Sequence, residues 1–462
     1  MFDKTVYIER RKLLKKQVKS GVILILGNVE SPMNYPANTY PFRQDSNFLY
    51  FFGQDKPGFV GLIDIEEDKD YLYGEDFTID DVIWMGPQPS VKELAAEVGV
   101  SHTGSPAQLA EKLKDALSKK RKVHFTPPYR AENAIQLEKL LDIPITGIKE
   151  NASVDLIKAI VEQRSLKSAA EVREIEKALD ISYEMYTLVM GMTKPGIYER
   201  EIVGKIEGAV GSYGAYVSFP IILSIHGETL HNHHHGNLLK QNNLLVTDSG
   251  AESPLHYASD ITRTFPVGGR FTPEQKDIYQ VVLNSQLAAI DSVKPGKPHK
   301  EVHLLTAAVI AQGLKDIGLM KGDIAAAIEE GAHALFFPHG LGHMLGLDVH
   351  DMEDLGENYV GYDETVERSK QFGLAYLRLA KALKPGYVVT SEPGIYFIPA
   401  LIDQWKAEKK FEQFIDYTKV EKFKDFGGIR IEDDVLVTDN GHRVLGKPIP
   451  KTVDEIEKIM AK

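Results

Sequence analysis

"HGLGHMLGLDVHD", residues 339–351, sets three histidines and two aspartates into thirteen positions. Its glycines make it a poor helix or strand, because glycine loses the most conformational freedom on ordering and suits places where backbone must approach something closely. Three imidazoles at such spacings, on such a segment, point to a chemical site rather than to a packing surface.

Working outward, the neighbouring apolar stretches carry acids. "LLVTDSGAE" (244–252) puts Asp248 at the end of a strand pattern, and "LHYASDITRTF" (255–265) brings Asp260 just ahead of an alternating run. "GYVVTSEPGIY" (386–396) sets Glu392 behind Val388 and Val389. "GIRIEDDVLV" (428–437) alternates so that Arg430 and Glu432 share one face and Ile429 and Ile431 the other. An unpaired buried carboxylate is costly and either takes a proton or finds a cation. Two partners compete here: buried ion pairs with Arg263 and Arg430, or a pair of divalent ions bringing roughly the four positive charges that four carboxylates need. One imidazole would complete an oxygen-rich ligand set, which favours manganese, with zinc or cobalt able to occupy it.

At 462 residues the chain is too long for one hydrophobic core. With 66 acidic against 54 basic side chains, its formal charge of -12 argues against a general nucleic-acid binder. Cysteine is absent, which removes disulfides, thiolate metal sites and a thiol nucleophile. The opening "MFDKTVYIERRKLLKKQVKSG" lacks the pattern of a secretory signal, and nowhere do eighteen apolar residues run together. The expectation is a cytoplasmic protein without a membrane or nucleic-acid partner.

Along the chain, "GVILILG" (21–27) and "GFVGLIDI" (58–65) predict buried strands, and residues 107–117 have helical spacing. A charged helical linker follows from about residue 151, then a long amphipathic helix with Ile175, Leu179, Ser182, Tyr186 and Val189 on one face. The expected domains are 1–165 and 166–462. Within the second, "TKPGIYEREI" (193–202) and "VKPGKPHKEV" (293–302) lie one hundred residues apart, each closing one helix and opening another. That spacing suggests a duplicated α+β half. No G-x-S-x-G, H-E-x-x-H or G-x-G-x-x-G is present, and in "GHRVLGKP" (441–448) Pro448 stands where a phosphate loop needs a hydroxyl.

The ordered set "TDSGAE", "SDITRTFPV", "HGLGHMLGLDVHD", "SEPGIY" and "GIRIEDD" resembles the proline-specific pita-bread metallopeptidases, aminopeptidase P and prolidase, over residues 165–450. "FRQDSNFLYFFG" (42–53) resembles the amino-terminal domain of the same enzymes. The resemblance implies a small α/β amino-terminal domain of the creatinase and aminopeptidase P type, followed by a pita-bread catalytic domain with an internal pseudo-twofold repeat. It implies two divalent metals held by Asp248, Asp260, His343, Glu392 and Glu432. Asp248 would bind one of them with both oxygens, Asp260 and Glu432 would bridge the pair, and His343 and Glu392 would complete the other's shell. Glycines 340 and 342 would let the backbone reach that cluster.

The reaction so implied is removal of an amino-terminal residue ahead of proline by a hydroxide bridging the metals. Glu392 would shuttle the proton, His350 would stabilise the oxyanion, His231 and His339 would contact the substrate, and Arg430 would hold a carboxylate in place. Peptides with proline in second position would be the substrates, and the working form a homodimer or homotetramer. Prolidase, which cleaves Xaa-Pro dipeptides alone, is the first alternative, and a groove that binds peptide without hydrolysis is the second.

Three departures from the family pattern stand out. "LHNHHHGN" (230–237) carries His235 where relatives commonly have asparagine, and gives His233 and His234 no assigned task. The loop from Asp248 to Asp260 is one residue longer than usual, which displaces Asp260 unless the extra residue bulges outward. Residues 352–381 and 398–426 are longer than in a compact aminopeptidase P and read mainly as solvated helix and loop.

Overall fold

The computed structural model describes residues 1–461 and divides into two compact units, residues 1–164 with 354–359, and 165–353 with 360–462. In the first, the predicted runs form β1 (Val22–Leu26) and β2 (Val60–Asp64), paired antiparallel. With β3 (Lys69–Tyr73), β4 (His102–Gly104) and β5 (Val123–His124) they make a mixed sheet of order β4-β3-β2-β1-β5. Because side chains alternate along a strand, Val22, Leu24, Val60 and Leu62 share one face. They bury there against Leu109 and Leu113 of α1 (Pro106–Ser118) and Leu137 and Leu141 of α2 (Ala131–Leu141). A capping box at Ser105 with Gln108, and Pro106 in the first turn, start α1 where the sequence predicts it. On the sheet Gly61 leaves room for the Phe52 ring, which a Cβ would meet at 2.0 Å.

The linker helix is α3 (Val154–Ser165), and the second unit takes up the long amphipathic helix as α4 (Ala169–Met192). Ile175, Leu179, Ser182, Tyr186 and Val189 are all buried on it, and Ser168 with Glu171 caps its start.

The hundred-residue spacing is structural. Helices α4 and α5 (Glu199–Ser212) are matched by α6 (Pro273–Ser292) and α7 (His299–Asp316), with C-caps at Thr193 and Val293 and helix starts at Glu199 and His299. Gly196 N donates to Leu239 O at 2.9 Å and Gly296 N to Leu383 O at 2.8 Å, so each connection is held by the same type of returning segment. Five residues past each of those carbonyls a central strand begins, β6 (Leu244–Ser249) in one half and β8 (Val388–Ser391) in the other. Strand β6 pairs antiparallel with β7 (Ile261–Pro266), and β8 with β11 (Asp433–Val437). Between them, β9 (Gly394–Tyr396) pairs with β10 (Gly428–Arg430).

The halves are stitched where Thr262 bridges Glu432, with Glu432 N donating to Thr262 O at 3.0 Å. Arg263, 1% exposed, locks that seam. Its Nη1 donates to the carbonyls of Thr262 (2.9 Å) and Glu432 (2.6 Å), Nη2 to Asp433 (2.7 Å) and Ile449 O (3.0 Å), and Nε to Pro450 O (3.1 Å). One of the two candidate arginines is therefore a structural clamp.

The long stretches 352–381 and 398–426 are more ordered than their composition suggests. Leu355, Tyr362, Leu374, Leu377 and Leu379 are buried in the first, and Phe397, Phe423 and Phe426 pack ring against ring around the second. The aromatic spacing there follows no helical or strand period, so the pattern carried no signal.

Replacing Arg263 by methionine keeps the bulk and strips the seam of its donors. The expected loss is about 3–5 kcal/mol of unfolding free energy, the usual cost of removing one member of a buried ion pair. Urea unfolding measures it, and a loss below about 1 kcal/mol would assign the seam to packing alone.

Candidate metal centre

All candidate side chains lie in the second unit, and the four acids stand in or beside strands at the seam. Asp248 is the last residue but one of β6, opposite Thr262, Asp260 immediately precedes β7, Glu392 follows β8, and Glu432 joins β10 to β11. The histidine segment runs antiparallel along β8: Met344 bridges Val389, Leu345 N donates to Val388 O, Thr390 N to His343 O and Glu392 N to Leu341 O. Gly342 is required by this pairing, since a Cβ there would lie 2.1 Å from the Thr390 carbonyl oxygen. The close approach made by Gly342 is to the strand backbone, which in turn brings His343 over the carboxylates.

Asp260, His343 and Glu432 are buried, and each brings one ligand atom within 4.8 Å of the other two. His343 Nε2 stands 3.3 Å from Asp260 Oδ2 and 3.6 Å from Glu392 Oε1. Its Nδ1–H donates to Met344 O at 3.0 Å, which leaves the Nε2 lone pair facing the acids. Asp248 gives Oδ2 to Arg430 Nη2 at 2.6 Å and keeps Oδ1 buried without a partner. Arg430 thus takes up one of the two oxygens that the family pattern assigns to a metal. Asp260 Oδ1 and Glu432 Oε1 are likewise buried and unpartnered.

Both proposed partners for the acids are therefore present in part. Arg430 pairs with Asp248, but one guanidinium cannot balance four carboxylates. Burial, and then repulsion from Glu432 and Asp248, pushes Asp260 well above the ordinary aspartate range. Burial, and then Glu392 and Asp248, does the same to Glu432. Glu392 is pushed up to about 8, by burial first and Asp248 next, against the opposing pull of Arg430. The carboxylates of Asp260 and Glu432 and the imidazole lone pair of His343, drawn together in one buried group, form an oxygen-rich donor set of the kind that holds hard divalent cations. The residues present fit such ions.

Around this core lie groups the sequence did not single out. Thr262 Oγ1 donates to Glu432 Oε2 at 2.7 Å and accepts from Arg430 Nε at 3.1 Å. Tyr396 OH accepts from Arg430 Nη1 at 2.8 Å and donates to His339 Nε2 at 2.9 Å. Asp434 accepts from Asp260 N at 3.1 Å. The alternation in "SDITRTF" would have placed Thr262 on the acid-bearing face; for Tyr396 and Asp434 no local pattern existed.

His339 also donates Nδ1–H to Gly340 O at 2.7 Å, packs edge-on against Phe337, and sits 4.0 Å from Glu392. It is a hydrogen-bonded histidine that also borders the acids. Burial, and then Arg430, lowers its pKa to about 3, so the ring is neutral. His350 lies edge-on over His343, with ring centroids 4.4 Å apart, and its Nδ1 is 2.6 Å from Glu353 Oε2. Arg378 Nε reaches the same Glu353 oxygen at 3.3 Å. His231 is exposed on one side and partly desolvated on the other, in the field of Arg430, Asp248, Arg378 and His350.

In the histidine-rich loop, His235 Nδ1 hydrogen-bonds Leu223 O at 3.1 Å, whereas His233 and His234 are exposed. The loop after Asp248 brings Asp260 into the group with His343 and Glu432. Glu252 bridges Ala258, Ser253 N donates to Tyr257 O, and His256 takes up the turn at φ 65° while its ring meets Glu252 at 2.5 Å.

Paired strands meeting at an acid cluster with one imidazole, on a duplicated α+β frame, define a metallopeptidase of the pita-bread class. Residues 173–439 match the metallopeptidase family M24, and residues 7–124 match the aminopeptidase P amino-terminal domain. The human Xaa-Pro dipeptidase is 34% identical over 455 residues, covering 96% of this chain and 90% of that protein. A probable Xaa-Pro aminopeptidase of Botryotinia fuckeliana is 35% identical over 423 residues, covering 91% and 88%. Aminopeptidase PepP of Pseudomonas aeruginosa superposes with a TM-score of 0.81 at 29% identity, covering 100% of this chain and 98% of that one. Aminopeptidase P of Escherichia coli, solved with the inhibitor Pro-Leu, gives the same TM-score at 28% identity and the same coverage. The chain belongs to metallopeptidase family M24, in its aminopeptidase P and prolidase branch, and is a proline-specific peptidase. Among the described residues no helix is long and apolar enough to cross a membrane.

The raised carboxylate pKa values make the metal-free chain sensitive to pH in a stated direction. Folded Glu392 keeps its proton up to about pH 8, whereas an unfolded glutamate releases it near 4.5. The stabilising contribution is therefore complete below about pH 4.5 and is lost as pH rises through 8. A bound divalent ion favours the ionised form and opposes that loss. The rise in Tm on adding saturating manganese is expected to be larger at about pH 8 than at about pH 5. Calorimetry of the metal-stripped chain tests this, and an equal rise at both values would contradict it.

Proposed function

We propose that the chain is an Xaa-Pro aminopeptidase, which removes the residue ahead of proline from the amino terminus of a peptide. The observation that carries the reading is the buried group of Asp260, Glu432 and His343, with an orphaned oxygen on each of its acids and on Asp248, and with His231, His339 and His350 around it. Whole-length likeness to aminopeptidase P structures supports it. Asp248, Asp260, His343, Glu392 and Glu432 would hold two divalent ions, manganese by the hardness of the donors, and such ions when bound make hydroxide available near neutral pH.

The remaining steps belong to side chains of this chain. Glu392, whose Oε1 lies 3.6 Å from His343 Nε2 at the edge of the cluster, would take the proton of the attacking water and return it to the leaving nitrogen. That nitrogen is a tertiary amide in an Xaa-Pro bond and brings no proton of its own. His350 has Nδ1 tied to Glu353, so Nε2 is the ring atom left to stabilise the oxygen of the scissile carbonyl. Neutral His339 and half-open His231 line the substrate side. Arg430 keeps Asp248 in place through a bond that Tyr396 and Thr262 brace.

A second reading, Xaa-Pro dipeptidase, is favoured by Arg378. Its charge acts on His231, His339, His343 and Glu392, which puts a guanidinium on the substrate side, where it could pair with the free carboxylate of a dipeptide. The manganese-loaded chain assayed on bradykinin-like peptides and on Ala-Pro separates the two. Release of the first residue from the longer peptides is expected, and turnover of Ala-Pro alone would overturn the aminopeptidase reading. In that case Arg378→Ala should raise KM for Ala-Pro by about tenfold, the worth of one charge-assisted hydrogen bond.

A further inference from the structure

Glu199, in the first turn of α5, is fully buried and is paired with no cation among the described residues. A carboxylate so placed must be satisfied by N–H donors. Its donors come from both ends of one loop: Ile225 N donates to Oε1 at 2.8 Å, and Asn237 N and Nδ2 donate to Oε2 at 3.2 and 2.9 Å. Between those two anchor points the chain makes the excursion 225–237 that carries His231, His233, His234 and His235. The backbone of the same helix turn reinforces the hold, with Glu199 N donating to Asn237 O at 3.1 Å and Arg200 N to His235 O at 3.0 Å.

The second half of the molecule uses the same place in the same way. His299, one hundred residues on, is the first residue of α7 and is also buried. Its backbone N donates to Lys381 O at 3.0 Å, and its Nδ1 hydrogen-bonds Leu379 O at 3.2 Å, the residue next to Arg378. In each half the first side chain of the second helix thus grips the returning segment that presents a charged or titratable group to the acid cluster.

We infer that Glu199 is a positioning residue for the substrate-side histidine loop: by closing the neck of 225–237 it fixes where His231 meets the peptide. This rests on the proposed place of His231 at the substrate. Glutamine at 199 keeps the size but can accept on one side only and sets an amide N–H against a donor on the other. The neck would then open while the helix and the seam stay intact.

The test combines Glu199→Gln, His231→Ala and the double variant in the metal-loaded full chain. Amide hydrogen exchange at Ile225 and Asn237 is expected to quicken in Glu199→Gln while exchange in β6 and β8 is unchanged. KM for an Xaa-Pro substrate is expected to rise about tenfold with a smaller change in kcat, the scale of a hydrogen bond to a charged group. In the His231→Ala background the same substitution should add little, because the two act on one contact. Unchanged exchange at the neck, or a KM effect that adds in full to that of His231→Ala, would overturn the inference. Should His231→Ala alone leave KM unchanged while the neck still opens, the substrate role of His231 fails and the positioning role falls with it. If Glu199→Gln does not fold, Asn237→Ala removes a single donor and should move exchange and KM in the same direction by less.

Discussion

Too many acids converge on too few cations where the two halves of the second unit meet. Asp248, Asp260, Glu392 and Glu432 share a buried space with a single interior guanidinium, Arg430, and that cation is already committed to Asp248, Tyr396 and Thr262. The other buried arginine described in this unit, Arg263, ties the seam backbone to Asp433 instead. Among the described residues, one oxygen each of Asp248, Asp260 and Glu432 is left buried without a hydrogen bond. Such an arrangement is poor as a folding device and good as a cation trap, since binding energy recovers what burial costs.

The duplication explains how the trap is built. Asp248 sits opposite Thr262, and the same ladder carried one step further sets Gly250 beside Asp260. In the second half Ser391 sits opposite Asp433, one step further sets Glu392 beside Glu432, and Gly394 pairs with Arg430. Glu392 therefore occupies the place of Asp248, Glu432 the place of Thr262, and Arg430 the place of Asp260. A backbone with near twofold symmetry carries an unsymmetrical set of side chains. Arginine in one half, where the other has aspartate, is what lets the protein pair one oxygen of Asp248 with its own guanidinium.

Much of this was legible from local pattern. Strand periodicity located β1, β2, β6, β8 and the acids at their ends, because an ionisable side chain inside an apolar run is conspicuous whatever surrounds it. The repeated Lys-Pro-Gly turns marked equivalent helix pairs, because a helix stop followed by a new start reads the same in both copies. Other groups were not legible. Tyr396, Thr262 and Asp434 acquire their parts through hydrogen bonds to residues far away in sequence, and Arg378 and Glu353 lie in a stretch whose composition resembles solvated loop. Glu199 looks like an ordinary first-turn acid at a helix start, where the helix dipole alone would justify it.

By itself the amino-acid sequence determined which side chains are acids on strands, where the helices begin and end, and that a glycine-spaced histidine segment accompanies them. These follow from interactions within a few residues, so they survive any reading that looks only along the chain. Tertiary structure alone decided that the acids face one another, that Arg430 rather than Arg263 joins them, that Gly342 serves a strand carbonyl, and that Glu199 holds a loop at both ends. Those outcomes depend on antiparallel register and on the packing of elements far apart along the chain, from 26 residues for Glu199 and Ile225 to 182 for Asp248 and Arg430, where no local preference specifies the partner.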